Sequence, residues 1–197
     1  RLLADPRLTR ERAENMRLFI SGSAPLLVDT HEEWEARTGH RILERYGMTE
    51  TNMSTSNPYE GERRAGTVGF PLPGVEARIM AGDKEVPTGE TGVLHVRGAN
   101  VFQGYWQMPE KTAEELLPDG WFITGDMARM DEDGYVTIVG REKDLVITGG
   151  FNVYPKEVES LIDDLPGVLE SAVIGVPHPD FGEAVVAVVV PTGEGTS

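Results

Sequence analysis

Leu18-Phe19-Ile20-Ser21-Gly22-Ser23-Ala24-Pro25 is the stretch on which the fold turns. A short apolar run meets a loop of small residues, and the loop ends in a proline able to open a helix. A strand that gives way to such a loop is typical of α/β sheets, where ligands collect at the C-terminal ends of strands. Downstream, Leu27, Thr30, His31 and Trp34 fall on one helical face, and Gly39 stops that helix. Ile42-Leu43 supplies a second apolar strand, followed by a polar loop at Tyr46-Gly47-Met48-Thr49-Glu50. Residues 1–65 are therefore expected to be the end of an α/β subdomain.

The pattern changes over residues 66–142, where a β-rich subdomain is expected. Val75, Ala77 and Ile79 alternate, Gly82-Asp83 turns the chain, and Val93, Leu94 and Val96 return. Tyr135 to Val139 is a further strand after a turn at Asp133-Gly134, and one short helix near 109–117 interrupts the series. From Lys143 to Ser197 the chain reads as part of a small α+β lobe. Leu145-Val146-Ile147 is a strand broken by Gly149-Gly150. Pro155 opens a helix with Val158, Leu161, Ile162 and Leu165 on one face, and Pro166-Gly167 ends it. Ser171 to Val176 and Ala184 to Val190 read as strands, and the lobe is expected to be incomplete.

The chain has 197 residues, with 33 Asp and Glu against 18 Lys and Arg, for a formal charge of −15. That balance argues against nucleic-acid and membrane partners. There is no cysteine, which removes disulfides, thiol nucleophiles and thiolate metal sites and fits a reducing, cytoplasmic setting. The longest apolar runs fall far short of the roughly 20 residues that cross a bilayer.

Four strings carry chemistry. Tyr46 to Glu50 offers a hydroxyl and a carboxylate after a strand. The carboxylate would repel a nucleotide phosphate directly, but Mg²⁺ between them would reconcile the two. Gly120-Trp121-Phe122-Ile123-Thr124-Gly125-Asp126 puts a carboxylate after an aromatic strand and a tight turn, where it could accept hydrogen bonds from ribose hydroxyls. Gly140-Arg141-Glu142-Lys143-Asp144 ends a strand in alternating charge. Gly149-Gly150-Phe151-Asn152-Val153-Tyr154-Pro155 would let a ligand approach bare backbone. Each string alone also reads as an ordinary polar turn. The four histidines fall on a helix face, in a turn, in a strand and between prolines, a scatter that implies no metal site.

In this order and spacing the strings, with Ser21–Pro25, Gly89-Glu90-Thr91-Gly92 and Gly98 to Tyr105, resemble the acyl-adenylate-forming superfamily. Phe151 to Glu159 is similar to its CoA-ligase branch. Leu165 to Glu183 together with Tyr46 to Tyr59 resemble malonyl-CoA synthetases. The resemblance implies an ATP-dependent acid–thiol ligase using Mg²⁺ and coenzyme A, with malonate as the expected acid. A ligase for an aryl or fatty acid, or a non-catalytic nucleotide-binding module, stands as the alternative.

Carried over by residue, Ser23, Ala24 and Pro25 would flank the adenine and the acyl pocket, and Tyr46 would stack on adenine. Thr49 would bond the α-phosphate, and Glu50 would hold Mg²⁺. Asp126 would grip the ribose with Arg141 assisting. Lys143 matches the hinge between lobes, and Gly149 and Gly150 would line the pantetheine path. Arg45, just before Tyr46, would meet the second carboxylate of a dicarboxylate, with Ser23 as an additional donor; by spacing alone it reads equally as an outward residue paired with Glu44 or another surface acid. The family's phosphate-embracing loop and its C-terminal lysine are expected upstream of Arg1 and beyond Ser197. The fragment alone is therefore expected to be inactive.

Overall fold

Ile20–Ser21 (β1) and Leu43–Met48 (β2) pair in parallel, with Ile20 opposite Leu43 and Ser21 opposite Glu44, in a computed structural model that describes residues 2–193. A short helix, Arg10–Ala13 (α1), precedes them and is capped by the Thr9 side chain. The crossover is the helix Val28–Thr38 (α2), which buries His31, Trp34 and Thr38. It starts three residues after Pro25. Gly39 ends it in the left-handed region, at φ 77°, donating its N–H to the Glu35 carbonyl. Glycine takes that conformation without steric cost.

β2 runs further than its apolar start implies. Tyr46, Gly47 and Met48 are strand rather than loop. Only Thr49–Thr51 turns, and Asn52–Ser56 (β3) returns antiparallel to β2. Gly47 is required there, since a Cβ would lie 1.9 Å from the Asn52 carbonyl oxygen. β3 has no apolar alternation because its buried side chains, Ser54 and Thr55, are hydroxyls on successive residues and so on opposite faces; Ser54 bonds the buried Thr51 of the preceding turn at 2.9 Å. Phe70–Pro71 (β4) completes the sheet in the order β1-β2-β3-β4.

A five-stranded sheet follows, in the order β6-β5-β7-β8-β9. Its strands are Val75–Ala81 (β5), Lys84–Glu85 (β6), Gly92–Gly98 (β7), Phe122–Met130 (β8) and Val136–Arg141 (β9). The helix Pro109–Glu115 (α3) opens on its proline. Ile79, Leu94, Val96, Phe122, Ala128 and Val136 form the buried core of this region, with Tyr46, Phe102 and Leu116 packed against it. Full burial of such side chains stabilises by roughly 1.5–3 kcal/mol each. Trp121 lies between two guanidinium groups, Arg78 at 4.1 Å and Arg97 at 4.6 Å from its rings.

The chain divides into two compact units. One runs to Thr124 and includes Ala128–Ile138; the other is Gly125–Met127 with the residues from Val139 on. In the second unit Val146–Thr148 (β10) and Phe151–Val153 (β11) form a hairpin. Pro155–Asp163 (α4), Val168–His178 (β12) and Gly182–Pro191 (β13) follow, in the sheet order β11-β10-β13-β12. Gly149 and Gly150 are the two turn residues, at φ 55° and 84°. That pair of positive angles is the two-residue turn whose twist suits a hairpin, so β11 lies where a strand-to-helix connection is expected. α4 stops at Asp163, so Leu165 falls outside the expected helical face; on the helix Val158 and Ile162 are half-buried while Leu161 is exposed. β13 is open along its length, with Val188 55% exposed. Among the described residues no helix is long and apolar enough to cross a membrane.

Candidate functional site

The Thr49–Thr51 turn closes on a bond from the Thr51 N–H to the Met48 carbonyl at 3.2 Å, with Asn52 left-handed at φ 53°, and it is held from outside as well. The Phe102 N–H donates to the Glu50 carbonyl at 2.8 Å, and the Asn100 amide donates to the Thr51 carbonyl at 2.8 Å. Thr49 is exposed and Glu50 half-buried, so the turn presents a fixed backbone with its hydroxyl and carboxylate open. The Glu50 carboxylate has one neighbour among the described side chains. Tyr105 Oη stands 3.1 Å from Glu50 Oε1 and 2.6 Å from Glu115 Oε2. Burial, with the two carboxylates alongside, pushes the Tyr105 hydroxyl pKa well up. Burial also raises Glu115, but the hydrogen bonds from Lys111 and Tyr105 outweigh it and leave Glu115 below the usual carboxylate value. The Gly98–Tyr105 string matches the family, yet no role for Asn100, Tyr105 or Glu115 is legible from it. The meaning of Tyr105 comes from a contact 55 residues away.

β2 alternates in the ordinary way of a strand. Tyr46 faces the core, half-buried, with its hydroxyl 3.6 Å from Met48 Sδ. Arg45 faces outward and is exposed. Its neighbour Glu44 is not available to it, being buried and bonded to His31 Nδ1 at 3.0 Å. Burial raises the Glu44 carboxyl pKa, and the His31 contact only partly offsets this. Arg45 makes no ion pair among the described residues. The Ser21–Pro25 loop comes to Arg45 directly: a Cβ on Gly22 would lie 3.3 Å from the Arg45 carbonyl and 3.4 Å from its Cγ. Ser23, Ala24 and Pro25 are exposed, and Ser23 is held at φ 70°. A non-glycine residue there costs about 1–2 kcal/mol. Ser23 and Arg45 are thus brought to one edge of the first unit.

In the second unit Asp126 lies within a continuous strand, not after a tight turn. Gly125, at φ 70°, kinks β8 without ending it. Asp126 is 4% exposed, and Arg141 Nε donates to its Oδ1 at 2.7 Å. Arg141 is itself exposed at the end of β9. Lys143 sits in a one-turn 3₁₀ segment, Glu142–Asp144, exposed and without an ion pair among the described residues. The backbone of Gly149 and Gly150 is bare, and the Gly149 N–H donates to the Phe181 carbonyl at 2.9 Å.

Among the described residues no group of three or more His, Asp or Glu converges as a metal cage. Mg²⁺ needs none: it keeps several waters and takes one or two carboxylates with phosphate oxygens. Glu50 fits that demand, with Oε1 near Tyr105 and Oε2 without a partner among the described residues.

Two family models match. Residues 1–106 match the AMP-binding enzyme family, and residues 157–197 match the AMP-binding enzyme C-terminal domain. The ATP-bound crystal structure of MatB from Rhodopseudomonas palustris superposes with a TM-score of 0.94 at 65% identity, covering 99% of this chain and 39% of that one. A malonate–CoA ligase from Arabidopsis thaliana is 46% identical over 90% of this chain and 29% of its own length. A long-chain-fatty-acid–CoA ligase from Yersinia pestis is 44% identical over 96% of this chain and 34% of its own length. The chain spans about a third of the length of these curated relatives.

Proposed function

Because this chain belongs to the AMP-binding enzyme family, we propose that the protein is an ATP-dependent acid–thiol ligase that joins malonate, or a close dicarboxylate, to coenzyme A. A carboxylate is a poor electrophile. Attack on the α-phosphate of ATP turns it into an acyl-adenylate and releases pyrophosphate. The thiol of coenzyme A then displaces AMP.

The residues divide the work as follows. Thr49 donates to the α-phosphate from a turn whose backbone is already fixed, which lowers the entropy cost of orientation. Glu50 would hold Mg²⁺, which when bound neutralises the charge between this carboxylate and the polyphosphate. Tyr46 and the Ser23-Ala24-Pro25 loop flank the adenine. Asp126 accepts from the ribose hydroxyls, with its carboxylate oriented by Arg141. Lys143 is the hinge, since an exposed residue with no ion pair among the described residues can absorb backbone rotation at little cost. Gly149 and Gly150 leave room for the pantetheine arm.

One observation carries the choice of acid: exposed Arg45 has no ion-pair partner among the described residues and lies beside the Ser23 loop, while Glu44 is committed to His31. A guanidinium with no internal partner next to an acyl pocket suits a second carboxylate, which it can hold through two parallel bonds. Beside an alkyl or aryl chain it would be a charge without compensation. The test is pyrophosphate release by the full-length protein with malonate, acetate, benzoate and a long-chain fatty acid, for the parent and for Arg45→Leu and Arg45→Lys. Malonate should be the preferred acid of the parent. Arg45→Leu should abolish its use, and Arg45→Lys should leave partial activity. Malonate activation by Arg45→Leu at near the parent rate overturns the dicarboxylate reading. Turnover of the fatty or aryl acid alone assigns the enzyme to those ligases. ATP binding with no turnover of any acid makes it a nucleotide-binding module.

A further inference from the structure

We propose that Tyr105 is a positioning residue for the Glu50 carboxylate, fixing its orientation toward the cation that accompanies ATP. This rests on the reading of Glu50 as a Mg²⁺ ligand. Its basis is the way Tyr105 itself is fixed. The Tyr105 N–H donates to Thr112 Oγ1 at 2.9 Å, and the Thr112 hydroxyl donates to the Met108 carbonyl at 2.9 Å. The ring packs edge-on against Phe102 at 4.8 Å. The Tyr105 hydroxyl meets Glu115 at 2.6 Å, and the other Glu115 oxygen meets Lys111 Nζ at 2.7 Å. Main chain, ring and hydroxyl are therefore all set by α3 and the loop before it. From that fixed point the hydroxyl stands 3.1 Å from Glu50 Oε1.

The same segment holds the main chain of the turn through Phe102 and Asn100. Main chain and carboxylate are thus restrained by one piece of structure. A glutamate side chain loses up to about 2 kcal/mol of rotamer entropy when it is ordered. Tyr105 meets part of that cost before any ligand arrives. It engages one oxygen and leaves the other for a single metal bond, the mode Mg²⁺ prefers when phosphates and water complete its shell.

The test is calorimetric titration of the full-length protein with ATP, in Mg²⁺ and in EDTA, for the parent, Tyr105→Phe, Glu115→Gln and Glu50→Gln. Tyr105→Phe keeps the ring and removes the hydroxyl. It should weaken ATP binding in Mg²⁺ by about threefold to tenfold, the range for one lost hydrogen bond of ordinary strength. Binding in EDTA should not change. The Mg²⁺ concentration for half-maximal pyrophosphate release should rise by a similar factor while KM for the acid stays put. The Tyr105 hydroxyl has one proton for two carboxylates, so Glu115→Gln, which weakens the competing acceptor, should tighten ATP binding in Mg²⁺, and it carries the test if Tyr105→Phe does not fold. Equal weakening with and without Mg²⁺ overturns the inference, because a merely structural role has that signature. If Glu50→Gln abolishes the Mg²⁺-dependent gain in affinity while Tyr105→Phe and Glu115→Gln leave it unchanged, this inference alone fails. If Glu50→Gln also keeps the gain, the reading of Glu50 fails and takes the inference with it.

Discussion

Two hairpin turns, Thr49–Thr51 between β2 and β3 and Gly149–Gly150 between β10 and β11, lean on their surroundings to different degrees. The first closes on its own Thr51 N–H to Met48 carbonyl bond and a left-handed Asn52, at φ 53°, and is fastened further by groups from elsewhere, Asn100 and Phe102 on its carbonyls and Tyr105 on its carboxylate. The second is made of two glycines whose positive φ angles suit the turn, with one bond from elsewhere, from the Gly149 N–H to the Phe181 carbonyl. The surroundings differ in the same sense. Beside the first turn lies a core in which Leu94, Val96, Phe122, Ala128 and Val136 are wholly excluded from solvent. Beyond the second, β13 leaves Val185, Val186, Val188, Val189 and Val190 between 38% and 55% exposed. An imported geometry is stable only while its supports stay in place, whereas a geometry written into the turn residues survives changes around it.

The sharpest way to break that contrast is to compare core with open strand. Phe122→Ala should cost about 3–5 kcal/mol, the range for emptying a closed aromatic site. Val188→Thr on β13 should stay within about 0.5 kcal/mol. Urea unfolding of the two variants measures both, and similar losses would erase the distinction.

The next effect concerns charge in the first unit. His95 is buried opposite Arg78, and its Nδ1 has no hydrogen-bond partner among the described residues. Burial, reinforced by Arg78 and opposed by Asp119, holds its pKa down at about 4, against about 6.5 in an unfolded chain. Between those values the unfolded chain binds the proton and the folded one does not. Stability is therefore present above about 6.5 and is lost as pH falls toward 4. From pH 7 to pH 5 the loss from this residue should be about 2 kcal/mol. His95→Gln should remove that part of the slope in unfolding curves recorded at the two pH values.

The smallest effects fall on the turns themselves. Asn100→Ala should cost about 1 kcal/mol of stability, and with it the full-length protein should lose affinity for ATP. Gly150→Ala should cost about 1–2 kcal/mol through its backbone angle and leave ATP affinity unchanged. An Asn100→Ala variant that binds ATP as the parent does would mean that the first turn keeps its shape without its supports.

How far the fold could be read in advance follows the same division. The parallel pair β1–β2 with α2 between them is visible in Leu18 to Leu43, because each step there is local: an apolar run, a helical face, a glycine stop. The alternation of Val75, Ala77 and Ile79 and the return through Val93 to Val96 are local too. β3 is not visible, because its buried side chains, Ser54 and Thr55, are hydroxyls and leave no apolar period. β11 is hidden for another reason: three residues between a glycine pair and a proline are too few to show alternation. Glu50 could be picked out as a carboxylate after a strand. Its tie to Tyr105 could not, since nothing near either residue reports a neighbour 55 positions away. Leu161, exposed on the apolar face of α4, shows that helical periodicity marks a face and not what covers it, and Leu165, past the helix end at Asp163, shows that it does not mark where the helix stops.

The placement of the three tryptophans has an optical consequence. Trp34 and Trp121 are 6% and 7% exposed, the latter flanked by two guanidinium groups, whereas Trp106, next to Tyr105, is 86% exposed. Within these residues, a neutral collisional quencher such as acrylamide reaches Trp106 and spares the other two. The quenchable, red-shifted share of the emission therefore reports on the neighbourhood of Tyr105, and the protected share on the interior of the first unit.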